Sequence, residues 1–158
     1  LSIQSSDVIL VTGGARGVTA ACLIRLAKKV AAHFILLGRT PIEDEPEPLK
    51  NALNENEIKK ILVQQHANQT PKEINQLAAK ILANREVKKT IDELTQLGAK
   101  VHYVSTDVLN SEKLENTLNQ VRKQFGSITG IIHGAGVLAD KLIIEKTLEQ
   151  FNLVFNTK

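Results

Sequence analysis

The sequence has no methionine, no tryptophan, one cysteine and one tyrosine in 158 residues. A single cysteine excludes an internal disulfide, and because no paired Cys/His set is present we predict no metal site. Aromatic residues make up 3% of the chain and the net charge of +3 is scattered, so binding to nucleic acid is not predicted. There is no apolar run of membrane-spanning length and no recognisable signal peptide, which predicts a cytoplasmic location and no membrane contact.

Length and composition fit one globular domain. Hydrophobic residues are 42% and charged residues 23%, values that are ordinary for such domains, and the chain is long enough for a sizeable core. Neither an internal repeat nor a second domain is evident. Because the chain begins at Leu1 and its final helical pattern, starting near Leu148, is still running at the end, we expect it to be part of a longer polypeptide.

Residues 8–19, VILVTGGARGVT, have the pattern of a buried strand, a glycine-rich turn and the start of a helix. Glycines allow the backbone to approach a pyrophosphate, and the free N–H groups at a helix start favour an anion. The stretch therefore predicts dinucleotide binding, with incidental glycines as the alternative. The predicted helix runs from Gly17 to Ala31, and Cys22 is interpreted as a small core residue rather than a nucleophile. Its predicted apolar face comprises Val18, Ala21, Cys22, Ile24 and Leu26.

The second predicted strand, residues 33–37, ends in Gly38 and Arg39. An acidic residue at this position binds the ribose hydroxyls of NAD, whereas an arginine accommodates the 2′-phosphate of NADP. Arg39 therefore predicts NADPH as the cofactor. The alternative is a solvent-facing arginine at the end of a strand.

Residues 40–70 interrupt the strand–helix alternation. A proline-rich acidic loop over 40–48 is followed by a short predicted helix over 53–65. Thr70 and Glu73 form a predicted capping box that starts a long helix, and Gly98 ends it. We expect its last three turns to lie on the sheet and its first turns to pack on the 53–65 helix. Residues 41–85 are interpreted as a helical insertion with a solvated face. The alternative is that this segment docks a partner.

The rest of the chain predicts two more strands, over 100–105 and 128–133, separated by a helix that starts at Asn110 or Ser111. Asp107 follows the third strand, where it can accept a hydrogen bond from an adenine amino group or cap the next turn. His133 is interpreted as a packed residue at a strand end rather than a base. Small residues at 134–136 leave room for a cofactor to cross the sheet.

This order predicts an α/β fold, a Rossmann-type doubly wound parallel sheet in three α/β/α layers with a helical insertion after the second strand. The motifs TGGARGV, GRT, TDV and HGAGV, each following a predicted strand, resemble the short-chain dehydrogenase/reductase superfamily. The chain resembles more narrowly the ketoreductase domains of polyketide synthases and polyunsaturated fatty-acid synthases. HGAGV stands where ordinary members have Asn-Asn-Ala-Gly, and FNLVFNTK resembles the segment that ends in a catalytic lysine.

The resemblance implies a set of site residues. Lys158 would be the catalytic lysine, which binds the nicotinamide ribose and lowers the pKa of a tyrosine acid. Arg16 and Arg39 would contact the 2′-phosphate. The implied cofactor-binding residues are Thr12, Gly13, Gly14, Ala15, Arg16, Gly17, Val18, Arg39, Asp107, Val108, Gly134, Ala135 and Gly136.

Two departures from the family pattern stand out. Thr19 replaces the third glycine of the turn, where we expect an altered geometry that still binds the cofactor. The family's serine and tyrosine lie downstream of the lysine, beyond Lys158, so we expect this fragment alone to be inactive. Residues 138–140, Leu-Ala-Asp, partly match the Leu-Asp-Asp of ketoreductases that form the 3R alcohol. Asp140 therefore predicts a 3R product, with a solvated loop aspartate as the alternative.

The resemblance implies NADPH-dependent reduction of a 3-ketoacyl group, carried on acyl carrier protein, to a 3-hydroxyacyl group in polyketide or fatty-acid biosynthesis. The implied partners are the acyl carrier protein and the other domains of the same synthase, and a homodimer stays open. The alternative is a non-catalytic dinucleotide-binding or structural module of a multidomain synthase.

Overall fold

The computed structural model describes residues 2–158 and contains a four-stranded sheet in the order β3-β2-β1-β4, with every neighbouring pair parallel. The strands are β1 Val8–Thr12, β2 His33–Gly38, β3 Lys100–Ser105 and β4 Gly130–His133. The chain winds outward from β1 to β3 and then crosses to the other side of β1. The predicted Rossmann-type fold is confirmed, and the change of winding direction lies between β1 and β4, where such sheets bind ligands.

Six helices and one short 3-10 turn, Ile143–Glu145, surround the sheet in residues 2–158. Most boundaries lie within three or four residues of the prediction, but α2 falls at the end of the segment predicted as a loop. Asn110, rather than Ser111, caps α5 by accepting a hydrogen bond from the Lys113 N–H. The helices are α1 Gly17–Ala27, α2 Glu47–Lys50, α3 Glu55–Gln65, α4 Pro71–Gln96, α5 Ser111–Phe125 and α6 Leu148–Thr157.

The central strands β1 and β2 are buried on both faces, whereas β3 is half-buried and Ile131 of β4 is exposed. Alternate residues of β1 and β2 point to opposite sides, which is why these strands are apolar without interruption. Ile9 and Phe34 contribute to the core shared with α1 and α4. Leu10 and Ile35 contribute to the core on the other face, with Val121 of α5. None of the helices within residues 2–158 combines the length and apolar character needed to cross a bilayer.

The predicted apolar face of α1 was wrong in part: three of its five residues are exposed, whereas Ile24 and Leu26 are half-buried against the core. Val18 is 82% exposed and Cys22 is also exposed, so the cysteine is not a core residue. The buried residues are Ala20, Leu23 and Ala27, which follow the i, i+3, i+7 spacing of a helix face. Apolar side chains occur around most of this helix, so their period alone does not select the side that packs on the sheet.

The segment after β2 has a hydrophobic cluster of its own, in which Leu49 and Ile58 pack against Ile74 in the first turns of α4. Farther along, Val87 and Leu94 of the same helix belong to the core against the sheet. The expectation that the long helix serves two packing partners is confirmed. The interpretation of residues 41–85 as an inserted functional unit stays a prediction.

Arg85 joins this segment to the rest of α4. Its guanidinium forms an ion pair with Glu45 at 2.5 Å and donates hydrogen bonds to the carbonyl oxygens of Leu49, at 2.7 Å, and Ala52, at 2.5 Å. The ion pair holds the pKa of Arg85 above its ordinary value. The proline-rich loop is therefore fixed to α4 by one side chain that reaches three parts of the segment.

Replacing Leu94 with alanine should lower the free energy of unfolding by about 2–5 kcal/mol, because the fully buried side chain leaves a cavity between α4 and the sheet. The matched control is Leu53→Ala, since Leu53 is 86% exposed and its loss should cost less than about 0.5 kcal/mol. Urea denaturation of the two variants measures the difference. Equal losses would contradict the packing described here.

Candidate functional site

A cleft of about 190 Å³ opens where the carboxyl ends of the parallel strands meet. It brings together predicted site residues that are far apart in the sequence. Those that line the cleft are Gly13, Arg39, Asp107, Val108, Gly134, Ala135 and Gly136. A second cavity, of about 210 Å³, lies between α4 and the loop after β2, and it is lined by none of the predicted site residues.

Glycine allows the turn after β1 to pass directly against the loop after β4. Gly13 has φ of +67°, and a Cβ there would lie 2.8 Å from the backbone nitrogen of Ala135. At Gly136 a Cβ would lie 3.1 Å from Nζ of Lys158. The two glycines therefore let the backbone and the Lys158 ammonium group converge at one end of the cleft.

Thr19, which stands in place of the third glycine, lies against Gly134. A Cβ at Gly134 would clash with both Oγ1 and Cγ2 of Thr19. The side chain of Thr19 thus fills the space that the absent side chain of Gly134 leaves. The altered geometry expected at this position is a close contact between the start of α1 and the loop after β4.

A hydrogen-bond chain connects β1, β4 and the end of α6. The hydroxyl of Thr12 accepts from the N–H of Ala135 at 3.3 Å and lies 2.7 Å from Nδ1 of His133. Nε2 of His133 lies 3.1 Å from the carbonyl oxygen of Thr157. Since a carbonyl only accepts, Nε2 carries the proton, and in the neutral ring Nδ1 accepts from the Thr12 hydroxyl. His133 therefore holds in place the residue next to Lys158.

The remaining predicted residues have varied surroundings. Arg39 is exposed at the rim of the cleft. Asp107 lines the cleft and also accepts a hydrogen bond from the N–H of Leu109 at 3.0 Å, so it caps the turn after β3. Ala15 is buried beneath the turn, and Asp140 is exposed in the loop after β4. Gly14 packs on Val11 and Leu23, so it supports the turn from below.

Glu86 of α4 is a contact of the glycine-rich turn that the sequence did not reveal. Its carboxylate accepts hydrogen bonds from the N–H of Gly17, at 2.8 Å, and from Nε of Arg16, at 3.1 Å. These bonds, the Gly17 one foremost, hold the pKa of Glu86 below its ordinary value despite partial burial. Glu86 is 69 residues from Gly17 and is one of several acidic residues on a long helix, so no sequence signal distinguishes it.

Tyr103, the one tyrosine of the sequence, lies in β3 and donates its hydroxyl proton to the carbonyl oxygen of Thr40 at 2.6 Å. Burial raises the pKa of Tyr103, and the charge of Arg16 partly opposes this effect. The phenol therefore lies beside the end of β2 and is already hydrogen bonded there. Within residues 2–158, no group of three or more His, Cys, Asp or Glu side chains is arranged to bind a metal ion.

The family model of the KR domain matches residues 8–158. The chain belongs to the KR domain family. A polyunsaturated fatty acid synthase protein of Thraustochytrium sp. is 30% identical over 168 residues, covering 99% of this chain and 6% of that protein. Polyketide synthase PksM of Bacillus subtilis is 26% identical over 156 residues, covering 99% of this chain and 3% of that protein. The KR chain thus spans a small fraction of the curated relatives that it matches.

Solved structures of similar fold include an N-terminal ketoreductase from the macrolactin assembly line. Its TM-score is 0.68 at 25% identity, and the match covers 99% of this KR chain and 24% of that chain. Carveol dehydrogenase from Mycobacterium avium, solved in complex with NAD, has a TM-score of 0.61 at 18% identity over 95% of this chain and 43% of that chain. The second likeness concerns the fold alone. Together with the family match, the first supports the predicted resemblance to ketoreductase domains.

The contact between Thr19 and Gly134 predicts a pair of compensating substitutions. Gly134→Ala should destabilise the protein by about 1–3 kcal/mol, because the new methyl group overlaps the Thr19 side chain. Adding Thr19→Ala removes the Thr19 atoms that overlap and should restore part of the loss, as measured by urea denaturation. The new Cβ would still lie 3.0 Å from the Thr12 carbonyl oxygen, which accounts for the remainder. Gly130→Ala is the control, since its Cβ would lie an ordinary 3.7 Å from Ile9. Absence of rescue in the double variant would show that this contact does not set the cost.

Proposed function

We propose that this KR chain binds NADPH in the cleft at the carboxyl ends of its strands and serves a ketoreductase that reduces a 3-ketoacyl group to a 3-hydroxyacyl group. The observation that carries the proposal is a cleft lined by Gly13 and the loop after β4, with Nζ of Lys158 beside Gly136 of that loop. A nicotinamide dinucleotide supplies a hydride when bound. The side chains of the protein must bind and orient the cofactor and the substrate, and one of them must protonate the substrate carbonyl oxygen.

The residues present fit a dinucleotide. Both the glycine turn and the loop after β4 lack the side chains that would fill the cleft, and the turn leads directly into the start of α1. We assign the pyrophosphate to residues 13–18. The N–H groups of Gly13 and Gly17 already donate to the Leu37 carbonyl and the Glu86 carboxylate, so the other N–H groups of this turn would meet the anion. Asp107 and Val108 border the adenine end, and residues 134–136 border the nicotinamide ribose.

Two arginines support NADPH over NADH. Arg39 lies at the rim of the cleft after β2. Arg16 belongs to the glycine turn, which is bonded to the end of β2 through the Gly13 N–H and the Leu37 carbonyl oxygen, 2.9 Å apart. Arginine binds phosphate through charge-assisted hydrogen bonds, which a ribose hydroxyl cannot match.

Lys158 is assigned the role of the catalytic lysine. Its Nζ lies beside Gly136, at the end of the cleft given to the nicotinamide ribose. There its charge would hold the ribose and lower the pKa of a neighbouring tyrosine, so that this tyrosine can donate a proton to the substrate carbonyl. Tyr103 does not fit this role because its hydroxyl is bonded to Thr40. We assign the proton donor to a part of the domain outside these 158 residues.

The substrate and product are inferred from the family. The similarity to segments of multidomain synthases supports a 3-ketoacyl thioester on acyl carrier protein and contact with other synthase domains. Asp140, exposed in the loop after β4, supports a 3R product through its match to the stereochemical motif. The second candidate, a dinucleotide-binding module without turnover, is favoured by the position of Tyr103 away from Lys158.

Arg39→Ala should raise the Kd for NADPH by about tenfold or more and leave the Kd for NADH within about twofold, because it removes a charged partner that only the 2′-phosphate uses. Fluorescence titration of the full polypeptide with each cofactor measures both values. Arg25→Ala, an exposed arginine on α1, is the control. A protein that binds NADH as tightly as NADPH would contradict the proposed cofactor.

Lys158→Met should reduce the kcat for a 3-ketoacyl thioester by at least about 100-fold, because the ribose contact and the charge beside the acid are both lost. Chiral analysis of the product of the unaltered enzyme should give the 3R alcohol. The 3S alcohol would contradict the assignment of Asp140. A full polypeptide that binds NADPH without any turnover of ketoacyl substrates would favour the non-catalytic module.

A further inference from the structure

Glu86 reaches from α4 to the glycine turn and makes two contacts there. One carboxylate oxygen accepts from the N–H of Gly17, and the other accepts from Nε of Arg16. Arg16 is the N-cap residue of α1 and its own side chain makes no capping bond. The acidic residue that contacts the start of α1 therefore belongs to α4, about 70 residues farther along the sequence.

The bond to Nε leaves the outer edge of the Arg16 guanidinium available. A guanidinium has five N–H donors in a planar fork, and the two terminal amino groups form the edge that binds phosphate end-on. Within the described residues 2–158, Glu86 is the acceptor of the Arg16 side chain, and it takes only Nε. The Arg16 side chain is 49% exposed, so solvent and ligands can reach it.

The position of Arg16 relative to the end of β2 is also constrained. The charge of Arg16 acts on the Tyr103 phenol, which is hydrogen bonded to the carbonyl of Thr40. Thr40 follows Arg39 directly. The turn that carries Arg16 is also bonded to the end of β2, since the Gly13 N–H donates to the Leu37 carbonyl oxygen at 2.9 Å. The two arginines therefore follow adjoining strand ends, and the pair with Glu86 restricts the side chain of one of them.

We propose that Glu86 is a positioning residue that holds Arg16 for the 2′-phosphate and so increases the preference for NADPH over NADH; this inference rests on the proposed function. An exposed arginine loses rotational freedom when it binds a ligand, which weakens binding. Glu86 has already restricted this freedom before the ligand arrives. The advantage applies only to a dinucleotide with a phosphate at this position, because a ribose hydroxyl makes no comparable bond to Arg16.

The test is Glu86→Gln in the full polypeptide, with Kd measured for NADPH and for NADH. Glutamine removes the negative charge, and in the present geometry its NH2 group, which only donates, would face either the Gly17 N–H or Nε of Arg16. The Kd for NADPH should rise about three- to fivefold, the change expected for the loss of one exposed charge pair, while the Kd for NADH stays within about twofold. The control is Glu93→Gln, which removes an exposed pair with Lys89 on the same helix.

The possible results separate this inference from the proposed function. If the Kd for NADPH is unchanged or falls in E86Q, while R39A still discriminates between the cofactors, only the role of Glu86 is overturned. An equal rise for both cofactors also overturns it, because Glu86 would then act as a cap of α1 alone. If the unaltered protein shows no preference for NADPH, the proposed cofactor is wrong and the role of Glu86 falls with it.

Discussion

The close approach of the backbone after β1 to the backbone after β4 is the constraint on which the site depends. With a Cβ at Gly13 only 2.8 Å from the nitrogen of Ala135, a side chain at position 13 would force the two loops apart. The same junction contains the bond from the Ala135 N–H to Thr12 and the contact of Thr19 with Gly134. Separation of the loops would therefore change the start of α1, the end of β4 and the cleft together.

The junction extends to Lys158 through His133. Because His133 uses Nδ1 toward Thr12 and Nε2 toward the carbonyl of Thr157, the ring connects the sheet to the last turn of α6. An asparagine side chain is shorter than an imidazole, and its polar atoms are closer together, so it spans less distance between two such partners. In this chain the histidine therefore bridges two partners at the position where the sequence differs from the Asn-Asn-Ala-Gly pattern.

The sequence was sufficient where the physical signal is local. Uninterrupted apolar runs predicted strands covered on both faces, and the Thr70–Glu73 capping box located the start of α4 because both hydrogen bonds form within four residues. The sequence was insufficient for features that depend on which helix and sheet surfaces pack together. The face of α1 was wrong in part because its apolar residues surround the helix, and Glu86 was missed because its partners come together only after α4 packs beside α1. The roles of the cleft residues stay predictions.

The continuity of α4 links the inserted segment to the site. At a rise of 1.5 Å per residue its 26 residues span about 39 Å, and about 30 Å separates Ile74 in one cluster from Leu94 in the core against the sheet. Glu86 lies between these two anchors, and Arg85 beside it fixes the loop after β2. Since one residue turns a helix by about 100°, the Glu86 carboxylate reaches Arg16 only while the neighbouring Val87 keeps its place in the core against the sheet. Adjacent residues of one helix, Arg85 and Glu86, thus contact the segment after β2 and the glycine turn.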